Sequence, residues 1–141
     1  SSLYTLVNSL KDKVEFQVLV SNTKLATEIE SIEGVRVIRA GRWGSLFSQP
    51  LCPGFFFWLK RLKADIIHLH LPNPLAGFFY LLANPGSRLI ISYHSDILRQ
   101  KALNFIWQPL LAILLKRAEA IVVTSRNLLD SSRVLGRFRS K

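Results

Sequence analysis

Three short runs without a single Asp, Glu, Lys or Arg, "IIHLHL" at 66–71, "LIISYH" at 89–94 and "AIVV" at 120–123, most narrow the folds open to this chain. A strand with one wet face alternates polar and apolar residues, whereas a run that is apolar nearly throughout is buried on both faces. Between these runs lie helical stretches. "PLAGFFYLLAN" opens with Pro74 in the favoured first-turn position and closes by Asn84 to Gly86. "KALNFIWQPLLAILLKRAE" is long enough for about five turns, with a kink or break expected at Pro109. Strands alternating with helices predict a parallel sheet joined by crossover helices, so the chain reads as a doubly wound α/β domain.

The flanking segments extend the pattern. Leu3, Leu6, Val7 and Leu10 recur at helical spacing and predict a helix ending near Lys11 to Lys13. "VEFQVLVSN" predicts a strand, read as central because it becomes fully apolar. Residues 27–40 carry β-type residues on both sides of Glu33-Gly34 and predict a hairpin or a bent strand pair. "GRWGSLFSQPLCPG" reads as a loop, "FFFWLKRLK" as a short helix, and "SRNLLDSSRVLG" as a final helix capped by Thr124 or Ser125.

The 141 residues, 49% of them hydrophobic, suffice for one core and one domain. With no methionine and a start at Ser1, the sequence is expected to be part of a longer protein. The single cysteine, Cys52, fits a reducing, cytoplasmic setting. The longest oily stretch, 102–115, is interrupted by Asn104, Gln108 and Pro109 and is shorter than the ~18 apolar residues of a membrane span. The net charge of +10 favours anionic partners: nucleic acid, acidic lipid or phosphate-bearing substrates.

Parallel α/β sheets bind ligands beyond the carboxyl ends of their strands, where "HLHLPN", "YHSD" and "TSRN" fall. His94, Ser95 and Asp96 do not form a hydrolase triad, because neighbours on extended chain point to alternate sides. His94 is the leading candidate, ending a buried strand ahead of Ser95, Asp96, Arg99 and Lys101. An imidazole there can bond sugar hydroxyls in either protonation state, and the two cations can meet a phosphate. His68 and His70, two apart on one strand, share a face, but two ligands do not close a metal site and none is expected. His68 is favoured as a satisfied core histidine. Phe55, Phe56 and Trp58 with Lys60, Arg61 and Lys63 read equally as a membrane-surface patch or as an ordinary amphipathic helix. Gly41 and Gly44 in "GRWG" match no nucleotide fingerprint. For nucleic acid, charge is the sole argument.

"LYTLVNSL", "RAGRWGSLFSQPLCPGFFFWLKRLKADIIHLHLPNPLA", "YHSDILRQKAL" and "RAEAIVVTSRNLLDSS" together resemble the N-terminal domain of retaining, nucleotide-sugar-dependent glycosyltransferases of the GT-B type, the bacterial group known as family four. The resemblance implies a Rossmann-like, mostly parallel domain on the acceptor side of a cleft. It implies a first strand and glycine-rich loop upstream, and a C-terminal domain downstream that holds the donor. It places His94 beside the transferred sugar and, less specifically, Asn73, Asp96, Arg99 and Ser125 near acceptor or phosphate. The expected function is sugar transfer from a nucleotide-diphosphate sugar to a glycan or lipid-linked acceptor, by a cytoplasmic enzyme peripheral to the inner membrane face. Neither metal nor nucleic acid is expected, and the segment alone is expected to be inactive. Relatives that carry a carboxylate after the second strand histidine differ from this chain, which has Leu71. The competing reading is a non-catalytic basic module for a membrane surface or nucleic acid.

Overall fold

The computed structural model describes residues 2–96, 101–132 and 134–140. The chain opens with helix α1 (Ser2–Leu10) and strand β1 (Gln17–Ser21), followed by the hairpin of β2 (Glu28–Ile32) and β3 (Val35–Ala40). Glu33 and Gly34, both at positive φ (51° and 82°), make the tight reversal that suits two twisted strands. β3 pairs antiparallel with β2 and parallel with β1, giving the order β1-β3-β2. Among the described residues β1 therefore lies at one edge of this sheet. Its apolar run is half-buried, whereas Val35, Val37, Ile38 and Ala40 of β3 are buried.

The segment read as a plain loop contains a two-stranded ribbon, β4 (Ser45–Leu46) and β5 (Gln49–Pro50), turning at Phe47 and Ser48. Helix α2 (Gly54–Arg61) follows, and then the alternation expected of a parallel α/β domain: β6 (Ile66–Leu71), α3 (Pro74–Ala83), β7 (Arg88–Tyr93), α4 (Lys101–Arg117), β8 (Ala120–Val123) and α5 (Arg126–Ser131). A 3₁₀ turn occupies Leu135–Phe138. β6, β7 and β8 are parallel and adjacent in chain order. α3 begins at an Asn73 cap with Pro74 in its first turn and ends at Asn84 in the left-handed region. α4 runs unbroken through Pro109. The break considered there does not occur.

One face of the β6-β7-β8 sheet is the main core. Leu71, Leu89, Ile91 and Tyr93 pack with Tyr80 of α3 and with Trp107, Leu111, Leu114 and Leu115 of α4. Both crossovers lie on this face, as a right-handed sense requires when successive strands are added in one direction. The opposite face carries His68, His70 and Ser92, flanked by half-exposed Ile66 and Val122. A smaller core of Ala40, Cys52, Phe55 and Phe79, with Leu19, Leu59 and Leu75 against it, links α2 and α3 to the first sheet. Among the described residues the strands other than β4 and β5 thus fall in two three-stranded sheets joined through helices. No helix among the described residues is long and apolar enough to cross a membrane.

Candidate functional site

The rim is built where β6 and β7 end. The amide of His94 donates to the carbonyl of Leu71 at 2.9 Å, so the parallel ladder runs one residue past β7 and fixes the His94 backbone. Leu71-Pro72 is a cis peptide. Asn73 Oδ1 accepts from Ala76 N at 3.1 Å, starting α3 one step beyond the strand.

Register decides what the His94 ring meets. His70 pairs with Ser92, and residues 68, 70, 92 and 94 share the face opposite the main core. The imidazoles of His68 and His70 stack at 4.7 Å between centroids, and those of His70 and His94 lie side by side at 5.3 Å with 14° between planes. His68 Nε2 bonds Ser92 Oγ at 2.8 Å, and His70 Nδ1 bonds His94 Nε2 at 3.1 Å. Three half-buried imidazoles thus form one ladder leading to the rim. Desolvation, aided by the neighbouring rings, holds His68 and His70 below the ordinary histidine range. Partial burial thus disfavours a positive charge on His68 and on His70. His68 is the satisfied histidine expected, although its partner is a serine on the sheet's less covered face.

Asp96 points elsewhere. Its Oδ1 accepts from the Tyr93 hydroxyl at 2.5 Å and from Ser132 Oγ at 3.1 Å, and Ser132 Oγ in turn accepts from Leu135 N at 3.4 Å. Burial and the adjacent carboxylate push the Tyr93 hydroxyl well above its ordinary value. Asp96 therefore ties the α5 region to the end of β7 through its Oδ1. Ser125 Oγ accepts from Leu128 N at 3.2 Å and caps α5. Ser95 is exposed. Arg99 lies outside the described residues, and of Lys101 only its place at the start of α4 is described.

The aromatic patch is divided by its helix. Phe55 is 4% exposed and belongs to the core, so it cannot reach a lipid surface. Phe56 and Trp58 are half-buried, with Lys60 Nζ 5.4 Å from the Phe56 ring and the Arg36 guanidinium 5.8 Å from Trp58. Phe57, between them, is 67% exposed beside exposed Lys60, Arg61 and Lys63.

Among the described residues, no three His, Cys, Asp or Glu side chains stand together as metal ligands. Two concavities, of about 540 and 780 Å³, lie at the amino ends of the strands, one lined by Lys60, Lys63 and Ser87 and the other by Lys13, Glu33 and Arg36. Neither reaches His94. Ser92 and Ser132 were missed by sequence reasoning. Ser92 could have been found from its strand parity with His94, but Ser132 meets Asp96 across 36 residues without any local signal.

The sequence pattern of Glycosyltransferase Family 4 matches residues 1–139. The chain belongs to this family. It is 39% identical over 88 residues to O-antigen chain mannosyltransferase C of Escherichia coli, a match covering 59% of this chain and 24% of that protein. It is 33% identical over 79 residues to D-rhamnosyltransferase WbpZ of Pseudomonas aeruginosa, covering 56% of this chain and 21% of that protein. The matched stretch is thus about a quarter or less of each relative's length. With family membership, the α/β, Rossmann-like fold is that of a GT-B glycosyltransferase domain.

Proposed function

We propose that this chain is the acceptor-side domain of an enzyme that transfers a sugar from a nucleotide-diphosphate sugar to a glycan or lipid-linked acceptor, retaining the anomeric configuration. His94 is proposed to lie beside the transferred sugar. In this reaction the bond from the anomeric carbon to the diphosphate breaks and a bond to an acceptor oxygen forms on the same face. The acceptor's proton departs with the nucleoside diphosphate. The relatives' names favour a hexose of the mannose or rhamnose kind. The observation that carries the assignment is the placing of His94 just past the carboxyl end of β7, where ligands of parallel α/β sheets bind, with its backbone held by Leu71. The proposed chemistry runs without metal. Ser95, Arg99 and Lys101 are proposed to flank the diphosphate on the strength of their positions after His94. The leaving-group charge is met mainly by cations and helix N-termini of a second, donor-binding domain. A first strand and glycine-rich loop ahead of α1 complete the proposed parent, and free strand edges on β1 and β6 among the described residues leave room for it in the sheet order.

In the complete enzyme, His94→Ala is expected to lower kcat by about 10²-fold or more, the usual contribution of a positioned acid, base or charge-stabilising group. Circular dichroism is expected to stay unchanged. Wild-type turnover by the variant would refute the role proposed for His94.

The exposed Phe57 with Lys60, Arg61 and Lys63 supports a second proposal, that α2 rests on an anionic membrane where a lipid-linked acceptor is met. The protein is expected to pellet with vesicles containing phosphatidylglycerol and much less with pure phosphatidylcholine. Phe57→Ser with Lys60→Glu is expected to abolish the difference, and equal pelleting by wild type on both vesicles would end the proposal.

A further inference from the structure

We propose that His70 is a positioning residue: it holds His94 in the tautomer that carries its proton on Nδ1, so that His94 offers a hydrogen-bond donor outward. The starting point is one atom. His70 Nε2 is sealed from solvent and has no partner, the single side-chain nitrogen or oxygen of that kind among the described residues. A proton on it would be a stranded buried N–H, which native structures avoid more strictly than a bare lone pair. A neutral imidazole has one proton for two nitrogens. The His70 proton therefore sits on Nδ1, where an acceptor waits 3.1 Å away in His94 Nε2.

The consequence passes to the next ring. With Nε2 accepting from His70, His94 must carry its own proton on Nδ1 if it is neutral, since two N–H groups cannot face each other across that distance. The nearly coplanar, side-by-side setting of the two rings, with 14° between planes, and the His94 amide bond to Leu71 leave little freedom for a ring flip that would exchange the nitrogens. His68, held by Ser92, stacks beneath His70 and keeps it in place. Charging His70 is disfavoured by the same sealed nitrogen. The ladder thus converts a buried, unsatisfied atom on its middle ring into a defined donor at the rim.

The value of that donor for sugar transfer rests on His94 lying beside the sugar, as proposed above, whereas the tautomer itself does not. A preset N–H suits the hydroxyl or ring oxygens of a carbohydrate and needs no proton movement when the substrate arrives.

The test uses long-range proton–nitrogen NMR on the ¹⁵N-labelled chain, in which three histidines give three sets of ring signals. His94→Gln identifies the His94 set by its loss. In the wild-type chain at neutral pH, both His70 and His94 are expected to show a protonated Nδ1 and a bare Nε2. His70→Phe keeps a flat ring but removes the donor, and is expected to leave His94 as an averaged mixture of tautomers. His70→Asn, whose amide nitrogen stands near the Nδ1 position, is expected to restore the Nδ1-protonated form. A His94 protonated on Nε2 in the wild type overturns the proposal. So does a His94 spectrum unaltered by His70→Phe. Should that variant fail to fold, the wild-type spectrum decides alone. If the spectra come out as expected and His94→Ala still leaves sugar transfer intact, the functional assignment falls while the tautomer stands.

Discussion

Gly77 shows how much a single position can carry. It lies in α3 against α4, and a Cβ added there would stand 2.8 Å from Leu114 Cδ1 and 3.0 Å from Trp107 Cη2. Both neighbours are essentially fully buried and have nowhere to retreat. Gly77→Ala gains about 1 kcal/mol of helix propensity and loses about 1–3 kcal/mol to overpacking, so net destabilisation of about 1 kcal/mol is expected. Gly86→Ala meets nothing within 4 Å and is expected to be within about 0.5 kcal/mol of neutral. Urea titration of the two variants checks the contrast. Neither outcome was legible in the sequence, where the two glycines look alike. The same holds for Phe55 and Phe57. Two residues apart on one short helix, they differ from 4% to 67% exposed because only one points at Ala40, Cys52 and Phe79.

At the scale of elements, the type and order of strands and helices follow from local periodicity and end signals. Asn73, Pro74 and Asn84 mark the limits of α3, and Glu33-Gly34 marks the hairpin, through backbone preferences that neighbours in sequence supply. Pairing is less readable. β1 reads as central and lies at an edge among the described residues, and composition alone does not separate burial by helices from burial between strands. The link from β7 to the α5 region is a case where an element's place depends on one carboxylate. Asp96→Ala strips the Tyr93 and Ser132 hydroxyls of their shared acceptor, and Tyr93 is buried. A loss of about 2 kcal/mol is expected, the range for hydrogen bonds to a charged group, and chemical denaturation measures it. A variant with wild-type stability would show that this link does not hold the α5 region in place.

For the whole molecule, the histidine ladder predicts how stability responds to acid. His68 and His70 are held below their ordinary value of 6.5 by burial first, and by neighbouring imidazoles second. As the pH falls through 6.5, the unfolded chain takes up protons that the folded chain refuses. The unfolded state then binds more protons, so stability is fully present above that value and is lost as the pH drops toward the depressed folded values. For two half-buried rings the loss between about pH 7.5 and about pH 5.5 is expected to be on the order of 1 kcal/mol after allowance for solvent screening. Guanidinium melts at the two pH values test it. A His68→Gln, His70→Asn double variant is expected to flatten the dependence, and an equally steep profile in that variant would assign it to other groups.

The sequence by itself determined the α/β class, the elements and their order, the rim at the strand ends, and the placing of His94 upon it. These depend on periods of 2 and 3.6 residues and on end-capping chemistry, which are properties of neighbouring residues. Only the tertiary structure decided that the parallel strands form two sheets among the described residues, that Asp96 serves Tyr93 and Ser132, and that three histidines stand in one line. The bonds between His68 and Ser92, and between His70 and His94, each join residues 24 positions apart. Such partners meet only once β6 and β7 align in register, and register is set by packing of the whole face against α3 and α4.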